Sequence, residues 1–188
     1  MNNLIQRLLN LLILGVFIFS FSTVSAVELV IGEERVEPGV ILIFEGAVRD
    51  HIRPNAQHLA ERKTDVHIEA RANWDTENIP DGTPPEGFVA YMNISAEIIN
   101  QHSGETIFVT LLPHVNLIDN LHYARNIALP GHPDDLYIVK FSVNPPDKFS
   151  LATHADWRKE VGNRLFQPQR YRYENVNFEE IVNAPPRQ

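Results

Sequence analysis

Histidine carries most of the chemistry that this sequence offers, and one histidine lies in a clearly alternating segment. In residues 65–71 apolar and polar side chains alternate. A β-strand would therefore place the apolar side chains on one face and His67 with Glu69 on the other. Their Cα atoms would then be roughly 6–7 Å apart. An imidazole and a carboxylate at this spacing form part of a metal site, whose other ligands must come from elsewhere in the chain.

Three further histidines stand close to predicted strands or in a long loop. His114 follows Pro113 at a predicted strand end, His122 opens the next strand, and His154 lies in the loop after Val143. The remaining histidines are in polar loops: His51, His58, His102 and His132. Imidazole suits Cu(II), Zn(II), Fe(II) and Ni(II), and a nearby carboxylate can bind the metal or fix the imidazole tautomer. Taken singly, each of these histidines is also typical of an ordinary protein surface.

Other site chemistries find little support in the sequence. The chain has no cysteine, which excludes disulfides, thiolate metal sites and a lipid-modified cysteine. Ser95 and Ser142 are the serines from which a Ser-His-Asp hydrolase could be assembled, but neither has a supporting motif. Paired carboxylates for glycoside hydrolysis are equally unsupported, because acidic residues are common in the loops. We therefore expect a binding protein rather than an enzyme, with a metalloenzyme as a weaker alternative.

The first 26 residues differ from the rest of the chain. Arg7 is their one charged residue, residues 11–21 are almost entirely apolar, and Val24-Ser25-Ala26 has the small-residue pattern of a cleavage site. We predict a secretory signal at residues 1–26 and a single domain at residues 27–188, located in the periplasm. An uncleaved membrane anchor is the alternative, although the apolar run is short for a span of about 20 residues.

The net charge of the chain limits the classes of molecule that it is expected to bind. The formal charge is −8 and becomes −9 without Arg7. An acidic protein is a poor candidate for binding nucleic acid or anionic lipid and is better suited to cations.

The elements that must position the histidines are predicted to be short strands. Alternating segments separated by turn residues are found at residues 28–36, 40–48, 65–73, 88–98, 105–112, 121–129, 136–143 and 169–174. One helical turn is predicted at residues 154–159, and the tail at residues 175–188 is predicted to be flexible. This pattern favours an all-β antiparallel β-sandwich, with a barrel as the second possibility.

Several motifs, taken in order, resemble those of periplasmic iron-transport proteins of the FetP type. The similarity runs from about Ile31 to Tyr173, which is most of the domain. Its landmarks are Ile31-Gly32-Glu33-Glu34, Asp65-Val66-His67-Ile68-Glu69-Ala70, Pro85-Glu86-Gly87-Phe88, Leu111-Leu112-Pro113, His122-Tyr123-Ala124 with Asn126-Ile127-Ala128, and Asn144-Pro145-Pro146. The order and spacing of these motifs together are more specific than any one of them.

The resemblance implies both a fold and a function. Family members are immunoglobulin-like β-sandwiches that form homodimers, and they bind copper, and iron or a similar divalent ion, near the dimer interface. They work beside an iron permease of the inner membrane. By this resemblance we expect a periplasmic copper- and iron-binding protein that assists iron uptake. A copper-handling or copper-storage protein and a metal-independent cell-surface interaction module remain alternatives.

The resemblance also implies a ligand set. His67 and Glu69 match the strand histidine and its companion glutamate, His122 matches the His-Tyr motif, and His154 matches a ligand in the late loop. His114 stands where the family commonly has methionine, and the stretch from His114 to His122 is about one residue longer. His114 either replaces the methionine as a ligand or misses the site. Glu69 either supports the ligands or binds a neighbouring metal.

Overall fold

The computed structural model describes residues 27–186, so the predicted signal at residues 1–26 lies outside the described part of the chain. Its strands are β1 (Glu28–Val36), β2 (Val40–Ala47), β3 (Val66–Trp74), β4 (Asn93–Asn100), β5 (Thr106–Val115), β6 (Leu121–Ile127), β7 (Leu136–Asn144) and β8 (Gln169–Asn177). Helices are short: a 3-10 turn at Glu61–Lys63, α1 at Ala155–Glu160 and α2 at Glu179–Asn183. In residues 27–186 no helix combines the length and apolar character needed to cross a membrane.

The eight strands form one sheet that is nearly closed. Their order is β1-β2-β3-β6-β5-β4-β7-β8, and every neighbouring pair is antiparallel. The two end strands approach each other, since the Tyr173 hydroxyl of β8 donates to Glu34 Oε1 of β1 at 3.0 Å. Gly32 makes this approach possible, because a Cβ there would lie 2.3 Å from the Tyr173 ring. The all-β prediction is confirmed as a barrel-like sheet, while the immunoglobulin-like sandwich stays a prediction.

Strand β5 changes partners along its length. Residues 106–111 pair with β4, and residues 112–115 pair with β6. The prediction that Pro113 ends this strand is wrong, because β5 continues to Val115. Proline lacks an N–H and is tolerated where a strand has one neighbour, and Pro113 lies beyond the end of the β4 pairing. As a result His114 belongs to the strand and lies directly opposite His122.

The core lies inside the sheet and is built from the alternating apolar side chains. The Phe44 ring on β2 stacks against Phe141 on β7, with ring centroids 4.1 Å apart. Both side chains are fully buried, and burial of one such side chain contributes roughly 1.5–3 kcal/mol. Such contacts join β2 and β7, which lie near opposite ends of the strand order, across a common interior.

The segment before β4 departs from the predicted alternation. The sequence predicts a strand from Phe88, whereas β4 begins at Asn93. Tyr91 has a positive φ of 62°, which breaks the two-residue period and lets Val89 and Met92 both point inward, at 3% and 6% exposure. The Tyr123 hydroxyl holds this segment by donating to the Val89 carbonyl at 2.8 Å and accepting from the Met92 amide at 3.1 Å.

The chain after residue 174 continues the fold. Strand β8 runs to Asn177, three residues beyond its predicted end. Phe178 and Ile181 are buried at 0% and 1% exposure, so α2 packs onto the core through an apolar pair three residues apart. The predicted helical turn near residues 154–159 corresponds to α1.

Candidate metal centre

Three adjacent strands bring three histidine side chains together. His67 comes from β3, His114 from β5 and His122 from β6. One ring nitrogen of each lies within 4.8 Å of the others. The ring centroids are 5.2 Å apart for His67 and His114, 5.7 Å for His114 and His122, and 6.2 Å for His67 and His122. We call these residues the histidine triad.

The ring separations suit ligation of one ion. An ion bound at about 2.0–2.1 Å lies about 3.1 Å from the centre of each imidazole, so rings that share it are roughly 4.4–6.3 Å apart. Each of the three separations falls in that range. The nitrogens of one coordination sphere are about 3–4 Å apart, and the triad nitrogens lie within 4.8 Å of one another, so closing onto an ion requires a contraction of up to about 1–2 Å.

The triad is shielded from solvent. His67 and His122 are 4% and 1% exposed, and both ring nitrogens of His114 are inaccessible although part of its side chain is exposed. The sequence places His67 and Glu69 on the strand face opposite the apolar core, and both are buried there nonetheless. The loop between β2 and β3 helps to cover this face, because its backbone is hydrogen-bonded to Asn126 on β6.

The tautomer of His67 follows from its hydrogen bonds. Asn126 Nδ2 donates to the carbonyls of Asp50 and Leu59 at 2.9 and 3.0 Å. Its Oδ1 must therefore accept the bond from His67 Nδ1, at 2.7 Å. Nδ1 of neutral His67 carries the proton, and Nε2 presents a lone pair. Such an outer hydrogen bond is the usual device that orients a metal-binding imidazole.

His122 is oriented in the same way by backbone. Its Nδ1 donates to the Asn120 carbonyl at 3.1 Å, so Nε2 of the neutral ring carries the lone pair. That atom is 3.4 Å from Glu69 Oε2. A lone pair and a carboxylate oxygen that face each other in a buried site favour a cation, either a proton or a metal ion.

His114 has no such partner. Neither of its ring nitrogens has a hydrogen-bond partner among the described residues. Burial is the largest cause that lowers the pKa of His114 from 6.5 to about 3, and neighbouring His67, His58, His122 and Arg125 make smaller contributions to the same decrease. His114 is therefore neutral at physiological pH and can donate a lone pair to a metal ion.

A second group of possible ligands shares His122 with the triad. Atoms of Glu69, Asp119 and His122 lie within 4.8 Å of one another. Asn116 anchors Asp119 through its Nδ2, which donates to Asp119 Oδ2 at 2.7 Å, and through its Oδ1, which accepts from the Asp119 amide at 2.6 Å. Sequence reasoning missed Asp119; its position three residues before His122, in the turn of a hairpin, was the available signal.

Of the five predicted ligands, His154 is the one that the structure places elsewhere. It is exposed and precedes α1. It lines a cavity of about 400 Å³ whose walls are largely apolar, including Trp74, Tyr91 and Trp157. His154 does not belong to either group of candidate ligands in the described protomer.

His58 was placed in a polar loop by the sequence and given no role. Its ring lies edge-on to His114, with centroids 4.7 Å apart. Its Nδ1 is buried and has no hydrogen-bond partner within residues 27–186. Loop positions lack the periodicity that relates strand residues to one face, so the sequence contained no signal for this contact.

The donor set matches a borderline transition metal. Three neutral imidazoles with converging nitrogens suit copper, zinc, nickel or ferrous iron, and nearby carboxylates favour a harder ion. His67, His114 and His122 would hold an ion, with Glu69 and Asp119 beside it.

Comparison with known proteins agrees with this chemistry. A copper-bound variant of P19 from Campylobacter jejuni superposes with a TM-score of 0.67 at 27% identity, covering 79% of this chain and 96% of that one. FetP from uropathogenic E. coli strain F11 gives a TM-score of 0.65 at 27% identity, with 79% and 95% coverage. A copper-bound FetP variant from the same strain gives 0.64 at 26% identity, with 79% and 95% coverage.

No functionally curated protein matches the chain. The model of the Fe2+ transport protein family matches residues 25–180. This match covers most of the chain and includes every residue of the triad. The FetP-type resemblance is therefore confirmed, and the protein belongs to the Fe2+ transport protein family.

Proposed function

We propose that this protein is a periplasmic carrier that binds copper and ferrous iron and assists iron uptake. The observation that carries this proposal is the buried histidine triad, in which hydrogen bonds from Nδ1 leave the lone pairs of His67 and His122 on Nε2, and one ring nitrogen of each lies within 4.8 Å of one of neutral His114. Imidazole nitrogens and a carboxylate gathered in one buried site are the ligand types that bind a transition-metal ion. Family membership supplies the connection to Fe2+ transport.

Copper is the ion that the triad prefers. Imidazole nitrogens bind Cu(II) more tightly than Fe(II) by the Irving–Williams order. The copper-bound relatives P19 and FetP are consistent with this assignment. Because a histidine occupies the position of the family methionine, the site is harder, and its preference shifts from Cu(I) toward Cu(II).

Iron is assigned to the position that has more oxygen ligands. Glu69, Asp119 and His122 offer two carboxylates and one imidazole, a combination that favours Fe(II) more than three imidazoles do. His122 belongs to both groups but has one lone pair, on Nε2. It would therefore bind copper or iron, and the two ions would compete for neighbouring positions.

The protein is proposed to act as a homodimer in which His154 completes the triad of the partner. Support comes from two apolar surfaces in one protomer. Val115, Leu117 and Ile118 are exposed at 71%, 105% and 70% at the tip of the β5–β6 hairpin, beside the triad. The largely apolar cavity beside His154 offers a complementary surface. In a two-fold dimer each tip would fill the other cavity, which brings His154 to the opposite triad.

The domain at residues 27–188 is proposed to follow a cleaved signal and to deliver iron to a permease of the inner membrane. The apolar segment at residues 11–21 supports export, and the related FetP was expressed in a periplasm. The switch of β5 between two groups of strands supports a flattened, immunoglobulin-like sandwich. The acidic charge of the chain favours cations as cargo.

Copper handling without iron is the second candidate, favoured by the imidazole character of the triad. An interaction module without a metal predicts histidines that are far apart in the fold, and three of them converge. The two metal functions differ in one measurable respect. An iron carrier needs Glu69 for Fe(II) but not for Cu(II), whereas a copper protein uses the triad alone.

The deciding experiment titrates residues 27–188 with Cu(II), Zn(II) and Fe(II), alongside His67→Ala and Glu69→Gln. Stoichiometric Cu(II) binding should be lost in His67→Ala, and Fe(II) binding should weaken at least tenfold in Glu69→Gln, the range expected when a ligand or its support is removed. His102→Ala, in the exposed β4–β5 turn, is the control. No tight binding by the parent protein would refute the proposal, and parent-like binding of both metals in Glu69→Gln would favour copper handling.

A further inference from the structure

We propose that His58 is an intake ligand: a metal ion passes from a surface pocket, through a position between His58 and His114, into the histidine triad. This inference rests on the proposed function, because it concerns how the same site is filled. The triad is buried, so an incoming hydrated ion needs a route and temporary ligands that replace its water.

The geometry of the two rings defines the intermediate position. Their centroids are 4.7 Å apart with the planes at 70°. For an ion about 3.1 Å from each ring centre, this separation corresponds to an angle close to 100° between the two ligands. That angle is normal for cis or tetrahedral ligands. The separation of the two rings is therefore compatible with one ion bound between His58 and His114.

His114 can serve both positions in turn, because either ring nitrogen can carry the lone pair of the neutral ring while the other carries the proton. When the ion moves from one nitrogen to the other, the ring proton must be exchanged to the nitrogen that the ion leaves. Both nitrogens are buried and lack hydrogen-bond partners among the described residues. One ring nitrogen lies within the triad, and the edge-on contact places His58 against the same ring. His58 is not part of the group of nitrogens that converge on the triad. It is thus a ligand for arrival and departure, not for the final position.

A pocket leads to His58 from the surface. Its volume is about 310 Å³, and its lining includes His51, His58, Asn55 and Glu61. His51 is exposed and can collect an ion first, while Glu61 is offset in charge by Arg62 on the same wall. Since the pocket and the His114 ring both contact His58, the His58 side chain separates solvent from the triad.

The position of His58 is fixed rather than incidental. Asn126 Nδ2 donates to the carbonyl of Leu59, the next residue, at 3.0 Å. The Thr64 hydroxyl donates to the carbonyl of Ala60 at 3.0 Å. These bonds tie both sides of this loop segment to the sheet, so the same asparagine that orients His67 also holds the backbone beside His58.

The test measures the rates of Cu(II) uptake and release by stopped flow in residues 27–188. The variants are His58→Ala, His58→Gln and the exposed control His102→Ala. Because His58 does not touch the ion in its final position, its loss must slow uptake and release by the same factor. We expect at least about tenfold slowing, the size typical of an added barrier to association, with the equilibrium affinity and the Cu(II) absorption spectrum of the parent protein.

Each other result would overturn the inference. Unchanged rates in both His58 variants would show that the ion uses another route. A loss of affinity or an altered spectrum with unchanged uptake would make His58 a ligand of the final site or a structural residue. If the parent protein itself bound no Cu(II) tightly, the proposed function would fail as well. Tight binding that is lost in His67→Ala, with normal rates in His58→Ala, would refute the intake role alone.

Discussion

Asn126 connects the metal centre to the loop that covers it, and replacing it should separate the two roles. Its Oδ1 accepts from His67 Nδ1 at 2.7 Å, and its Nδ2 donates to the carbonyls of Asp50 and Leu59. The residue is 3% exposed. Asn126→Ala would leave all three partners without this amide, and Asn126→Asp would keep the acceptor while removing the donors.

The expected losses of stability and of Cu(II) affinity follow from these contacts. A buried polar group without a partner costs about 1–3 kcal/mol, but Asp50 and Leu59 are only partly buried and water can reach them. We therefore expect Asn126→Ala to lower the free energy of unfolding of the apo protein by roughly 2–4 kcal/mol. Loss of the group that orients a ligand should weaken Cu(II) binding by about 10–100-fold.

Asn126→Asp should affect Cu(II) affinity and the stability of the apo protein differently. A carboxylate still accepts the proton of His67 Nδ1 and makes the imidazole more basic, so Cu(II) affinity should stay within about threefold of the parent protein. The same carboxylate would face two carbonyl oxygens, so the apo protein should lose at least as much stability as Asn126→Ala. Asn144→Ala is the control, since that exposed side chain makes one long bond of 3.4 Å to the Asn93 carbonyl.

Urea unfolding of the apo protein would measure its free energy of unfolding, and competition with a Cu(II) chelator would measure its Cu(II) affinity. Parent-like affinity in Asn126→Ala would show that the asparagine does not orient His67. An equal loss of affinity in both variants would show that the covering loop, and not the acceptor, determines metal binding. Asn144→Ala should change stability by less than about 0.5 kcal/mol.

Three further predictions concern single residues. His114→Met should keep copper binding but raise the ratio of Cu(I) to Cu(II) affinity, measured with chelators for each valence, because a thioether is softer than imidazole; an unchanged ratio would exclude His114 as a ligand. Burial is the main cause that lowers the pKa of His114 from 6.5 to about 3, so the unfolded chain binds more protons at this residue between these values. As the pH falls below 6.5, the titration of His114 should therefore lower apo stability by at most about 1.4 kcal/mol per pH unit. Urea unfolding should show a shallower fall in His114→Met, and an identical slope would contradict this assignment. Tyr123→Phe removes the hydroxyl that joins Val89 and Met92 and should cost about 1–3 kcal/mol by the same assay, whereas Tyr91→Phe, 64% exposed, should cost little.

Most strands could be predicted because apolar and polar side chains alternate along them. His67 and Glu69 were placed correctly on the face opposite the core, since a period of two fixes that relationship within one strand. The prediction failed where the tertiary pairing of strands overrode a local sequence preference. A proline normally ends a central strand, but β5 has one neighbouring strand at Pro113 and continues to Val115. Only the pairing of β5 with β6 makes His114 and His122 partners.

The positions of loop residues were the second feature that the sequence could not predict. His58 and Asp119 lie near the triad because hydrogen bonds anchor their loops, through Asn126 and Asn116 respectively. Such bonds join residues far apart in the chain or in irregular turns, and no periodic pattern records them. His154 illustrates a third case, because in the described protomer it lies outside both groups of candidate ligands, and spacing within the sequence does not reveal this.

The arrangement of the triad on β3, β5 and β6 has a consequence for the lifetime of the protein. An ion held by three neighbouring strands is a removable cross-link between segments that are otherwise joined by hydrogen bonds and loops. A ligand present at a thousand times its Kd adds about 4 kcal/mol to the folded state. Under the proposed function, loaded molecules would resist proteases that degrade empty ones, so the amount of this protein would follow the supply of its metal.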